Sequence, residues 1–352
     1  MFTKRAGLVG LALAAVVAGR AAAQAPTVTV GGVAYAQFQY QLKDTANHVN
    51  NFDITRAYIN VNGKFAYGIG SRVTADIFRT ADGSLSYRLK YAYVTWNPEK
   101  SALTYKFGQM HTPWVDWEEH LWDYRVQGQV AMERAGYMSS SDFGFGVDGN
   151  WGYDKVNMQV GVYNGENYNK APGDQRKDLM GRVSMRLMGT DEGGRDGGLR
   201  LTGYGQLGKP TSGGTRKRFI GMLSYHSKAL TVAAELASTK DTVAAPAVME
   251  KNGQVVSVFS VYRIPKSKFS VLARFDQTDP NTATDPIANG ASNIDRTRRV
   301  IAGVTYTWSG NLRLTADIDN LSYQYQLDPT KAADYDKQKV RSQFNLHAQI
   351  NF

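Results

Sequence analysis

The last segment of the chain alternates with a period of two residues. Val340, Phe344, Leu346, Ala348, Ile350 and Phe352 fall on one side, and Arg341, Gln343, Asn345, His347, Gln349 and Asn351 on the other. Successive side chains of a strand point to opposite faces. A strand with one apolar and one uniformly polar face belongs between apolar and wet surroundings. The same alternation begins at Thr27 and recurs along the chain with period two rather than 3.6. It predicts 16 strands, near 27–42, 52–65, 68–80, 84–97, 101–110, 142–152, 155–165, 176–189, 198–209, 216–228, 229–241, 253–265, 268–279, 296–309, 311–326 and 338–352. Most exceed the length of an ordinary soluble strand and suffice to cross a bilayer at a tilt.

The connections alternate between short and long. Asn97-Pro98-Glu99-Lys100, Gly152-Tyr153-Asp154, Pro265-Lys266-Ser267 and Ser309-Gly310-Asn311 are short, whereas 111–141, 166–175, 242–252, 280–295 and 327–337 are long. The 190–197 run is the longest of the short-side turns. This asymmetry fits an all-β transmembrane antiparallel barrel with short periplasmic turns and longer external loops. Closure pairs every backbone group without leaving an edge in lipid.

Residues 1–23 read as a cleaved signal peptide rather than as part of the fold. Lys4 and Arg5 precede an apolar run from Leu8 to Gly19, and Ala21, Ala22 and Ala23 supply a small-residue cleavage site. Cleavage after Ala23 leaves 329 of the 352 residues, and loss of Lys4, Arg5 and Arg20 lowers the formal charge from +10 to +7. Residues 24–352 then form one barrel exported to the bacterial outer membrane. No stretch of roughly 18 apolar residues follows, so no spanning helix is expected. The chain has no cysteine, which excludes a disulfide framework, thiolate metal sites and cysteine nucleophiles.

With the apolar face toward lipid, the opposite parity lines the lumen. It carries Arg56, Arg72, Arg88, Lys90, Lys106, Arg182, Arg186, Arg200, Arg218, Arg263, Arg274, Arg299, Arg313 and Arg341. Against them stand Asp76, Asp148, Asp178, Glu235, Asp276, Asp317 and Asp319. A low-dielectric wall with excess positive charge concentrates anions, and rings of Arg or Lys make anion pores. The outward parity predicts aromatic girdles from Tyr87, Tyr91 and Tyr93 on one strand, Phe143, Phe145 and Trp151 on another, and Tyr306 and Trp308 on a third.

The connection 111–141 is apolar and charged at once. Its Trp114, Trp117, Leu121, Trp122 and Tyr124 would be costly in a solvated loop, so it is expected to fold into the barrel and narrow it. Arg125 and Arg134 would then reach the constriction, with Glu118, Glu119 and Asp123 as competitors.

At several stretches the chain resembles the phosphate-selective (O/P type) porin family of bacterial outer membranes. They are Phe52-Asp53-Ile54-Thr55-Arg56-Ala57, Ala92-Tyr93-Val94-Thr95-Trp96, Gly108-Gln109-Met110-His111-Thr112-Pro113, and Gly161-Val162-Tyr163-Asn164-Gly165-Glu166 followed by Arg176-Lys177-Asp178 and Gly181-Arg182-Val183. The terminal Phe352 resembles the assembly signal of such barrels. The resemblance runs through most of the mature chain and is weakest in the C-terminal third. It implies a homotrimeric 16-stranded barrel passing anions through a basic constriction. Arg56 matches the second member of a basic pair whose first position holds Thr55 here, and His111 stands where the family usually carries lysine. Both departures reduce local positive charge and weaken the case for strict phosphate selectivity.

The function expected is passive diffusion of small hydrophilic solutes, with a preference for anions such as phosphate. The alternative is a non-transport barrel, an adhesin or structural protein. An enzyme is not expected. None of His48, His111, His120, His226 and His347 sits in a nucleophile motif, and there is no G-x-S-x-G or H-E-x-x-H. The acidic spacing around Asp328, Asp334 and Asp336 fits no metal loop, and no cofactor is expected. Nucleic acid is an unexpected partner, because the basic residues alternate with apolar ones within strands.

Overall fold

In the computed structural model of the protein, the described residues are 25–43, 49–171, 173, 175–210, 213–243, 249–282, 296–324 and 340–352. The leader expected at 1–23 lies outside them, as do most of the 280–295 and 327–337 loops.

The first eight strands are β1 (Thr27–Lys43), β2 (Asn50–Lys64), β3 (Ile69–Arg79), β4 (Leu85–Trp96), β5 (Leu103–His111), β6 (Ser141–Trp151), β7 (Val156–Tyr163) and β8 (Asp178–Met188). The second eight are β9 (Gly198–Gly208), β10 (Thr215–His226), β11 (Leu230–Val243), β12 (Met249–Arg263), β13 (Phe269–Asp279), β14 (Thr297–Ser309), β15 (Leu312–Tyr323) and β16 (Val340–Asn351). Two helices, α1 (Pro113–Trp122) and α2 (Ala131–Arg134), lie between β5 and β6. Each strand end lies within two residues of its expected place, except that β12 starts at Met249 rather than 253 and β15 stops at Tyr323 rather than 326.

Every strand pairs antiparallel with its neighbours in sequence, and β1 pairs with β16 to close the barrel. The seam ends in a reciprocal pair: the Gly32 N–H donates to the Phe352 carbonyl at 2.8 Å and the Phe352 N–H to the Gly32 carbonyl at 3.1 Å. Apolar side chains such as Phe107, Leu201, Phe219, Leu223, Leu236 and Val300 stand exposed on the outer wall, as a lipid-facing surface requires. Phe143, Phe145, Trp151 and Trp308 are exposed there too, and Trp96, Tyr105 and Phe145 stack in a row across three strands.

Two of the girdle tyrosines point the other way. Thr74 pairs with Tyr91 but Ala75 with Leu89, so Lys90 is an extra residue in β4. This β-bulge reverses the alternation beyond it. Tyr87 and Leu89 face outward, whereas Tyr91 is buried against His111 and Tyr93 packs on the inner cluster. A second bulge leaves Thr55 unpaired between Ile54 and Arg56 in β2.

The inner wall is not uniformly polar. Met180, Tyr204, Met222, Ala233, Ala237, Val255, Phe259, Val261 and Ile301 are buried inside the barrel. They form one apolar side, and the 112–140 loop lies on it.

Candidate functional site

The loop enters the barrel because half of it is an amphipathic helix. Pro113 occupies the first helical position of α1, where a missing N–H costs nothing. Trp114, Trp117, Glu118 and Leu121 recur at i, i+3, i+4 and i+7, and all are buried. They pack with Trp122 toward β8, β11 and β12. Trp122 meets Phe259 edge-on at 5.2 Å, and Trp114 lies 5.8 Å from Tyr204. The helix ends at Asp123, which takes the left-handed conformation with φ 49°.

Asp116, Glu119, His120 and Asp123 repeat the same spacing on the opposite edge. They face a cleft of about 290 Å³ whose far wall is Tyr35, Tyr58, Arg72, Thr74, Lys90, Tyr91, His111, Arg313 and Gln349, with Arg125 from the loop itself. The loop was legible as an inward fold, but its helix was not recognised. The i, i+3, i+4, i+7 repetition in Trp114–Asp123 was the available signal.

Most of the acidic edge is already neutralised. Asp123 accepts from Arg313 at 2.8 Å, Glu119 from Arg125 at 2.6 Å, and Asp116 from Arg195 at 2.8 Å. Arg195 comes from the 189–197 turn, which therefore reaches up into the lumen and braces the helix. Burial alone would raise the Asp116 carboxyl, but the Arg195 guanidinium and the neighbouring cations hold it well below the usual carboxylate range. Arg125 also pairs with Glu133 at 3.1 Å.

Two cations in the cleft have no carboxylate within ion-pair distance among the described residues. Lys90 donates to the Tyr58 hydroxyl at 2.8 Å and lies 4.5 Å from that ring's centre. Arg72 donates to Asn60 and Thr74, each at 3.0 Å, and sits 3.4 Å from His111 Nε2 and 4.9 Å from the Tyr91 ring centre. His111 stacks on Tyr91 at 4.0 Å. The bulge at Lys90 sets this arrangement, since it turns both Lys90 and Tyr91 inward.

The other basic residues of the inward parity are dispersed. Arg56 and Arg88 share Asp76, at 3.0 and 3.8 Å. Lys106 pairs with Asp148. Arg134 and Arg274 meet at Asp276, at 3.8 and 2.8 Å, and Arg274 also lies over Trp122. Arg182 lies over Trp117 at 4.3 Å behind the helix and donates to Asn157. At the short-turn rim, Arg200 is wrapped by the carbonyls of Asp154, Gly194 and Gly197, Arg186 donates to the Tyr153 carbonyl, and Arg263 to Thr231.

A closed barrel of sixteen membrane-crossing strands, narrowed by an inward loop, defines an outer-membrane porin: a channel, not an enzyme. Residues 28–186 match the family model described as phosphate-selective porin O and P. The match ends within β8, so it covers about the first half of the mature chain rather than most of it. The fold is similar to that of an anion-selective porin from Comamonas acidovorans, at 11% identity and TM-score 0.68, covering 93% of this chain and 100% of that one. It is also similar to OmpT of Vibrio cholerae solved in a trimer form, at 14% identity and TM-score 0.62, covering 94% and 100%. Salmonella typhi OmpF in complex with daunomycin aligns at 13% identity and TM-score 0.64, covering 92% and 97%. No curated protein matches the chain closely enough to add a relative by sequence.

Proposed function

We propose that this porin passes small hydrophilic solutes with a preference for anions, phosphate among them. One observation carries the reading. In the cleft beside α1, three acidic side chains are each held by an arginine, while among the described residues Arg72 and Lys90 have no carboxylate within ion-pair distance. A solute in the cleft therefore meets net positive potential, focused by the surrounding low-dielectric wall. The lumen as a whole adds less than its basic count suggests, because Arg56, Arg88, Lys106, Arg125, Arg134, Arg274 and Arg313 each meet an acid, with Arg56 and Arg88 sharing Asp76 and Arg134 and Arg274 sharing Asp276. Arg72 and Lys90 are thus the residues on which the anion preference rests. The comparison with an anion-selective porin supports the reading at the level of fold.

The reading includes a cleaved leader at 1–23 and a homotrimer. For the trimer, support comes from the OmpT likeness and from an apolar outward groove beside the closing seam, lined by Phe38, Phe52, Ile54, Leu314 and Leu346. Chemical cross-linking in detergent shows a three-chain band if the assembly is right.

Planar bilayer recording in a potassium chloride gradient tests the function. The expected reversal potential has the sign of chloride preference. A cation-selective reversal potential removes the anion reading, and a folded, heat-modifiable barrel without conductance removes the channel reading in favour of a structural or adhesive barrel.

A further inference from the structure

We infer that the solutes this pore favours are carboxylates carried on a flat apolar body, aromatic monocarboxylates above all, rather than inorganic phosphate. The inference rests on the anion-preferring reading above and concerns which anions the cleft selects.

The first ground is the supply of donors. A guanidinium offers five N–H groups and an ammonium three. Arg72 already directs donors to Asn60 and Thr74 and a third toward His111, and Lys90 commits one to Tyr58. Each cation thus has about two N–H groups beyond those bonds. That number matches the two oxygens of a carboxylate. A phosphate brings more oxygens and a tighter hydration shell, and this cleft has no converging set of free donors to replace that shell.

The second ground is the remainder of the wall. Tyr35, Tyr58, Tyr91 and His111 present rings around the same space of about 290 Å³. Rings reward a solute that has apolar surface and geometry for stacked or edge-on contact. Inorganic phosphate has no such surface and gains nothing from them. A pore built only to pass phosphate would not need these rings beside its free cations.

The third ground is independent of the constriction. A second cavity, of about 510 Å³, lies between residues 135–139 and the external ends of β8 to β12. Its floor includes Tyr137, Met180 and Tyr204, and its rim carries Arg216, Arg218 and Lys251. Arg216 is paired with Asp178 and Arg218 with Asp241, which leaves exposed Lys251 with no carboxylate within ion-pair distance among the described residues. An apolar floor below a cationic rim fits the same shape of solute: a hydrophobic body with one anionic end. Two stations along one path therefore offer the same pairing of ring or thioether surface with a cation.

The test uses the purified full-length barrel in planar bilayers and reversal potentials under bi-ionic conditions with potassium benzoate, acetate, phosphate and chloride. In free water the smaller acetate diffuses faster than benzoate. The expected result inverts that order, with benzoate more permeant than acetate by about threefold to tenfold, the factor one aromatic contact is worth, and more permeant than phosphate. Tyr91→Leu keeps an apolar side chain but removes the ring; it should bring benzoate back to the level of acetate. Benzoate no more permeant than acetate in the wild-type channel overturns the inference, with or without a folded variant. If the chloride gradient still reports anion preference in that case, only the solute class has failed. A cation-selective gradient instead removes the reading beneath it.

Discussion

At the scale of single residues, the pore separates cations that act on solutes from cations that hold the wall. Lys90 and Arg72 border the cleft, and among the described residues neither has a carboxylate within ion-pair distance. Arg200 also has no carboxylate within ion-pair distance among the described residues, yet three backbone carbonyls take up its donors at the short-turn rim. Removing each charge should therefore have different consequences. A unit charge about 4 Å from a solute ion is worth about 1 kcal/mol in water, and pore electrolyte screens part of that. Lys90→Gln should lower the chloride-over-potassium permeability ratio by about twofold to fivefold. Arg200→Gln should leave the ratio unchanged and lower the temperature at which the barrel loses its folded gel mobility, because it strips buried carbonyls of their donor. Equal effects of the two substitutions on selectivity would mean that the cleft does not control it.

At the scale of the element, α1 is held by a contact with a pH dependence of its own. Glu118 lies on the buried face of the helix among tryptophans and accepts from Trp114 Nε1 at 3.1 Å. It faces Glu235 of β11, whose carboxyl is also buried. The charged groups around the pair are Arg274 and Asp276 of β13, with Arg134 of α2 on the same aspartate. Two carboxyls in this setting share a proton more readily than they both ionise. Burial pushes Glu118 from 4.5 up to about 7, against the opposing pull of Arg274. The folded form thus binds a proton that the released helix gives up. The resulting stabilisation is complete below about 4.5 and is lost as the pH rises through about 7. Quenching of tryptophan emission by acrylamide reads the hold on the helix. It should increase in the wild-type protein between these pH values, and Glu118→Gln, which keeps a neutral hydrogen-bonding group, should flatten the profile. A flat wild-type profile would show that the carboxyl pair does not anchor the helix. The Arg195 bridge to Asp116 acts on the other edge of α1 and does not change charge in this range, since Asp116 stays ionised. Asp116→Asn should accordingly raise quenching by a similar amount at every pH, measured in the same assay.

At the scale of the whole molecule, what the sequence made legible follows from which surroundings each residue meets. Lipid outside and water inside impose a period of two on every crossing strand, so strand number, limits and order could be read directly. The alternation fails where an extra residue enters a strand. Nothing in Leu89-Lys90-Tyr91 announces the bulge, and for that reason Tyr91 and Tyr93 read as outward although they line the interior. The wall also departs from uniform polarity where the loop covers it: Met222, Val255 and Phe259 meet α1 and α2 instead of water. The counted excess of lumen cations overstated the field because a sequence does not show which arginine meets which carboxylate. Barrel closure tests the same logic over the full chain, since β1 and β16 pair across nearly its whole length. At the seam a Cβ on Gly32 would fall 2.3 Å from the Phe352 ring and 2.4 Å from the Tyr58 carbonyl oxygen. The ring could turn aside, but the carbonyl belongs to the β1–β2 ladder and cannot. Gly32→Val should therefore weaken the reciprocal Gly32–Phe352 pair and lower the temperature of the heat-modifiable shift. Gly203→Ala, on β9 with nothing within 4 Å of the added carbon, should leave that temperature unchanged. A Gly32→Val barrel as heat-resistant as the wild type would mean that closure does not depend on the fit of the terminal phenylalanine against β1.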